Sequence, residues 1–114
     1  MSYWTMPNLR QERLKTATQI VVSEEIIQTI ADYYDIYPKQ IKGKCRKREF
    51  VKARFLAMFL IRQETGFTLD YIGEMFSNRD HSSVIHAIKS INDALTSKFD
   101  NDVRKDYLRL KELV

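Results

Sequence analysis

The sequence predicts an all-α fold, a compact helical domain containing a helix-turn-helix, and three observations point to it. Apolar residues recur at spacings of three and four along most of the chain. No stretch alternates polar and apolar residues as a strand does. Between Thr68 and Leu95 two helical patterns follow one another across a break of only three residues. With 114 residues, 44% of them hydrophobic and 30% charged, the chain suits one domain with a modest core.

Residues 1–22 read as an N-terminal tail or accessory helix, with Leu9 to Ile20 entered at Pro7, and residues 23–114 as the folded domain. Ser23 is the expected N-cap of the first domain helix, Glu24 and Glu25 suit its first turn, and Ile26, Ile27, Ile30 and Tyr34 form its inner face to about Asp35. Tyr37-Pro38 and Gly43 then impose turns, with Ile36 and Ile41 pinning the connector to the core. A long central helix is expected from about Lys47 to Thr65 through Phe50, Ala53, Met58 or Ala57, and Ile61, stopped at Gly66. Thr68 caps a short helix carrying Leu69, Ile72, Met75 and Phe76 inward, and Ser77-Asn78-Arg79 is the break. The next helix starts at Asp80 or His81 and has Val84, Ile88, Ile91 and Leu95 on one stripe, with Ser82, His86 and Lys89 opposite, flanked by Ser83 and Ser90. Asn101 to Leu113 supplies a last helix through Val103, Tyr107, Leu110 and Leu113. The phenylalanines at 50, 55, 59, 67 and 76 alternate with aliphatic residues and are expected in or beside the core rather than as base-stacking platforms.

Charge is concentrated rather than spread. Between Lys39 and Arg54 stand eight basic residues and one acid, Glu49, so this segment carries +7 of a chain whose net charge is +4. The remainder sums to −3. Such a segment is either a solvated basic turn, a membrane or partner contact, or a surface that neutralises phosphates. Beside it, a helix that begins with short polar side chains can enter a major groove about 12 Å wide, where bulky residues would hold it out.

Several function classes are excluded. Three glycines at 43, 66 and 73 allow neither a G-x-G-x-x-G turn nor a phosphate-binding P-loop. One cysteine, Cys45, and two histidines give no disulfide and too few ligands for a structural zinc site, and His81 and His86 at i, i+5 face different sides of a helix. Nothing orients a base for Cys45, so no enzyme activity and no cofactor are expected. Without an apolar run long enough for a bilayer or a secretory leader in Met1 to Arg10, the expected location is cytoplasmic. Tyr3 and Trp4 are open between disorder, packing on the domain and a protein contact.

The residues Asn78-Arg79-Asp80-His81-Ser82-Ser83-Val84-Ile85-His86-Ala87 resemble the signature R-D-H-T/S-T/S-V-x-H-A of the C-terminal DNA-binding domain of the bacterial replication initiator DnaA. The likeness extends to Ile30-Ala31-Asp32-Tyr33-Tyr34, to the basic loop from Lys42 to Arg54 and to Tyr71-Ile72-Gly73-Glu74-Met75-Phe76, covering about Ser23 to Ile91. It implies a fold of the Trp-repressor-like kind and a nucleoid-associated protein that binds double-stranded DNA at a short A·T-rich box. By that resemblance Asp80, His81, Ser82 and Ser83 read bases in the major groove and Arg46 enters the adjacent minor groove. Lys44, Arg48, Lys52, Arg54, Arg62, Arg79, His86 and Lys89 are then the expected phosphate contacts. A narrow A·T-rich minor groove attracts arginine, and a carboxylate accepts from a cytosine amino group, so the physics agrees with these roles.

Two departures stand out: Ser82 and Ser83 replace the usual threonines, removing methyls that pack on thymine, and Ser77-Asn78 replaces a glycine pair. The family's ATPase domain lies outside this sequence, so the expectation is a free-standing box-binding module, monomeric because an asymmetric site needs no dimer, that regulates replication or transcription. No nucleotide and no membrane is expected as partner. The alternative is a protein-interaction or accessory module of a replication, mobile-element or phage system, with only non-specific DNA affinity, that docks on a protein partner through its N-terminal segment.

Overall fold

A computed structural model describes residues 9–97 and 101–114, with side chains described from residue 17 to 97 and from 102 to 114. Six helices follow one another among the described residues: α1 (Leu9–Tyr34), α2 (Pro38–Lys42), α3 (Arg48–Thr65), α4 (Leu69–Met75), α5 (His81–Thr96) and α6 (Asn101–Leu113). The central helix α3 packs against α1 on one side and α5 on the other. Its Ala53, Leu56, Ala57, Leu60 and Ile61 have no exposed surface. Ile26, Ile27 and Ile30 from α1, Ile41 from α2, Ile72 and Phe76 from the α4 region, Val84 and Ile91 from α5 and Leu110 from α6 complete one cluster. Each such side chain contributes on the order of 1.5–3 kcal/mol by leaving water.

The helix limits from α3 onward follow the sequence closely, and local chemistry explains each. Gly66 adopts the left-handed conformation, φ 71°, and its N–H closes α3 on Arg62 O. The Thr68 hydroxyl accepts from Tyr71 N to start α4, and the Asp80 carboxylate accepts from Ser83 N to start α5. The first domain helix is the exception. Ser23 is no N-cap: it is fully buried inside α1, and its hydroxyl donates back to Ile20 O at 2.7 Å. Upstream of it Gln19 donates to Thr65 O at 2.6 Å, taking one of the open carbonyls at the end of α3 and fastening the extended helix there. Pro7, Tyr3 and Trp4 lie outside the described residues. At the other end, Leu113 is 54% exposed rather than turned inward.

The turn between α4 and α5 rests on Gly73. Both Phe76 N (3.1 Å) and Arg79 N (2.9 Å) donate to Gly73 O, folding the chain back over the glycine. A Cβ at position 73 would lie 2.0 Å from Arg79 O, so only glycine lets α4 meet the turn this closely. The turn also places two side-chain-bearing residues in left-handed conformations, Ser77 at φ 63° and Asn78 at φ 55°.

Gly73→Ala therefore lowers folding stability by about 1–3 kcal/mol or more, since the obstacle is backbone and cannot rotate away. Gly66→Ala, where nothing lies within 4 Å of the added methyl, costs about 1 kcal/mol from conformation alone. Urea denaturation of the two variants gives the order; a milder effect at 73 than at 66 would contradict the packing described.

Candidate nucleic-acid interface

The exposed N-terminal end of α5 is organised by one carboxylate. Asp80 Oδ1 accepts from Ser83 N at 3.1 Å, from Ser82 Oγ at 2.9 Å and from Ser83 Oγ at 3.1 Å. The backbone bond first, and then the two hydroxyls, hold the Asp80 carboxyl below its ordinary value, so it stays charged. Both serines thus direct their protons at Asp80 and their lone pairs elsewhere. His81, Ser82, Ser83, Ile85, His86 and Lys89 are all exposed on this helix. His81 Nδ1 lies 3.3 Å from Asp70 Oδ1 of α4, a contact across the turn that no motif or spacing signals. His86 sets its edge against the Phe55 ring at 5.8 Å. Ile85, 44% exposed among polar neighbours, adds an apolar group that the sequence reading passed over.

The basic segment divides into two populations. The side chains of Lys44, Arg46 and Arg48 are exposed and make no ion pair or hydrogen bond among the described residues. Lys89 on α5 is the same. Arg54 corrects the expectation. It is 2% exposed, and its guanidinium donates from Nε to Ile41 O at 2.7 Å and from Nη2 to Gln40 O at 3.0 Å. Burial first, then the nearby charge of Arg79, lowers its pKa from the ordinary arginine value, as expected of a cation built into the scaffold. Lys52 is likewise engaged: its ammonium lies 2.8 Å from Asp106 Oδ2, which also accepts from the hydroxyl of Tyr34 at 2.6 Å. Burial would raise that carboxyl, but Lys52 and the hydroxyls of Tyr34 and Tyr33 outweigh it and hold it below the ordinary value. Arg54 is thus buried in the scaffold, whereas Lys52 is paired but keeps part of its side chain exposed.

Arg79 is half-buried and donates from Nη2 to Gly43 O at 3.0 Å. Arg62 donates to Phe67 O and lines a shallow cleft with Thr68, Leu69, Asp70 and His81. A second cleft, about 300 Å³, opens below the start of α5 between Arg54, Phe55, Met58, Arg79, Ser82, Ser83 and His86. On its wall Arg54 is bonded to backbone carbonyls and both serine protons point at Asp80, so Arg79 is the cation that faces it.

These contacts reveal what fixes the arginine-bearing loop. Helix α2 is a single turn, and its last carbonyls have no partner within it. Arg54 takes those of Gln40 and Ile41, Ser77 Oγ donates to Lys42 O at 2.6 Å, and Arg79 takes that of Gly43. Four successive carbonyls are satisfied from α3 and from the α4–α5 turn. The loop carrying Arg46 starts at the last of them.

Residues 23–91 match the family described as Bacterial dnaA protein helix-turn-helix. The chain is 38% identical over 104 residues to the chromosomal replication initiator protein DnaA of Levilactobacillus brevis, covering 91% of this chain and 23% of that protein. It is 38% identical over 88 residues to the protein of that name from Thermus thermophilus, covering 77% and 20%. Against that of Limosilactobacillus reuteri the identity is 38% over 109 residues, covering 92% and 24%. The chain thus spans about a quarter of the length of these curated relatives. A solved structure described as "crystal structure of DNA replication initiation factor" superimposes with a TM-score of 0.70 at 26% identity, covering 93% of this chain and 32% of that one.

Arg54→Met separates scaffold from phosphate contact without any DNA present. Truncating the cation leaves two carbonyls unpaired, one of them on fully buried Ile41, and is expected to cost about 2–4 kcal/mol in urea denaturation. Unchanged stability would return Arg54 to the surface set.

Proposed function

The chain belongs to the bacterial DnaA helix-turn-helix family, and from that premise we propose that it binds double-stranded DNA sequence-specifically at a short A·T-rich box, in the initiation of replication or its control. The observation that carries this reading is the pairing of an exposed, capped helix start bearing short side chains with an exposed arginine loop fastened to the same turn. The first turn of α5 enters the major groove. There His81 and the lone pairs of Ser82 and Ser83 face base edges, and Asp80 holds the two hydroxyls in place while its second oxygen is available to a cytosine amino group.

Two serines bring no methyl to thymine, and the exposed Ile85, one turn along the same face, supplies an apolar contact in their stead. Arg46 extends into the neighbouring minor groove, where A·T-rich sequence narrows the walls and deepens the negative potential. Lys44, Arg48, His86 and Lys89 contact phosphates, with Arg79 and Arg62 offering their remaining nitrogens beside the two clefts. The module works as a monomer on an asymmetric site, without nucleotide or metal, and contributes binding rather than catalysis.

Fluorescence anisotropy against a labelled A·T-rich box duplex and a scrambled duplex of equal composition tests this reading. The expected preference for the box is about a thousandfold or more at physiological salt. His81→Ala reduces the preference by roughly ten- to a hundredfold, corresponding to about 1–3 kcal/mol of base discrimination. Arg48→Ala weakens both duplexes alike and lowers the salt slope by about one. Equal binding of both duplexes by the unaltered protein would overturn site-specific reading.

A further inference from the structure

Ser77 occupies a costly conformation for its residue type. Left-handed φ values come readily to glycine and are tolerated by asparagine, which fits Asn78, but serine gains nothing from that region itself. A residue kept in a sparsely populated region needs compensation from its surroundings. The compensation is visible: Ser77 Oγ donates to Lys42 O at 2.6 Å, across 35 residues of chain, from the turn of the helix-turn-helix to the last residue of α2. Lys42 precedes Gly43, whose carbonyl is held by Arg79 of the same turn. A Cβ at Gly43 would come within 2.9 Å of Lys39 O, so the chain there is already tightly folded.

We propose that Ser77 is a positioning residue for DNA recognition, whose hydroxyl clamps the root of the Arg46 loop to the helix-turn-helix turn and so fixes the spacing between the minor-groove arginine and the major-groove helix. The inference rests on the reading given under the proposed function and assigns Ser77 no contact with DNA. Arg79 and Arg54 hold the neighbouring carbonyls but carry charges that also stabilise the fold or lie near phosphates. Ser77 carries none, and its one described side-chain bond runs between the two recognition elements. If that bond opens, the arginine loop keeps its charge and its sequence but loses a defined starting point. Box binding then bears the added entropy of ordering the loop, while non-specific phosphate binding does not.

Ser77→Gly makes the test sharp, because it relieves the backbone while removing the hydroxyl. Thermal melting at or above that of the unaltered protein is expected, together with a loss of box preference of roughly three- to tenfold, the range for one hydrogen bond. Ser77→Ala, which keeps the backbone strain, is expected to lose the same preference. Amide exchange across residues 43–47 accelerates in both variants without DNA. In an Arg46→Ala background, where no arginine remains to be placed, Ser77→Gly causes no further loss of preference. Full box preference in both Ser77 variants, or an equal loss with and without Arg46, overturns the clamp while leaving the DNA-binding reading intact. No effect of Arg46→Ala on its own overturns the minor-groove role from which the clamp derives its purpose.

Discussion

The arrangement depends on how the end of a one-turn helix is satisfied. Helix α2 is too short to pair its own last carbonyls, and α3 and the α4–α5 turn supply donors to them. Four successive carbonyls, from Gln40 to Gly43, are instead taken by Arg54, Ser77 and Arg79. That row turns a connector into a fixed part of the domain. It determines where the basic loop leaves the body and ties that point to the turn from which α5 departs. Gly73 makes the same turn possible from the other side, since its missing Cβ is the space that Arg79 O occupies.

This accounting divides the positive charge. A count of basic residues between 39 and 54 treats all eight as equivalent, yet the fold sorts them by whether a buried acceptor lies within reach. Arg54 faces carbonyls and Lys52 faces Asp106, so their charges are compensated inside the protein. Lys44, Arg46 and Arg48 have no such acceptor, and their field acts outward. Arginine suits the buried position because its planar fork meets two carbonyls at once, which an ammonium cannot do from one fixed site. The subset whose charge faces solvent is smaller than the raw count suggests.

Where sequence and structure agree, the signals are local. The limits of α3, α4 and α5 follow from Gly66, Thr68 and Asp80, each acting on residues within one turn, and the inner faces follow from helical periodicity. The start of α1 was misread because Ser23-Glu24-Glu25 has the composition of a helix entry; a serine hydroxyl satisfied by Ile20 O inside a helix gives the same letters. The family was legible through the motif from Arg79 to Ala87 and its spacing. The roles of Arg54 and Ser77 were not, because each depends on a carbonyl 13 to 35 residues away that no periodicity encodes. Gly73 is likewise explained only by the fold, since the Arg79 carbonyl that needs its missing Cβ is brought there by the turn.

On the proposed reading, one rigid unit presents α5 to the major groove and Arg46 to the adjacent minor groove. Dimethyl sulfate reads both at once, since it methylates guanine N7 in the major groove and adenine N3 in the minor groove, and interference mapping on a single labelled box duplex reports which modifications block binding. The expected footprint is compact, with major-groove interference next to minor-groove interference and only the latter lost in Arg46→Ala. Interference in one groove alone, or none above background at any position, would contradict it.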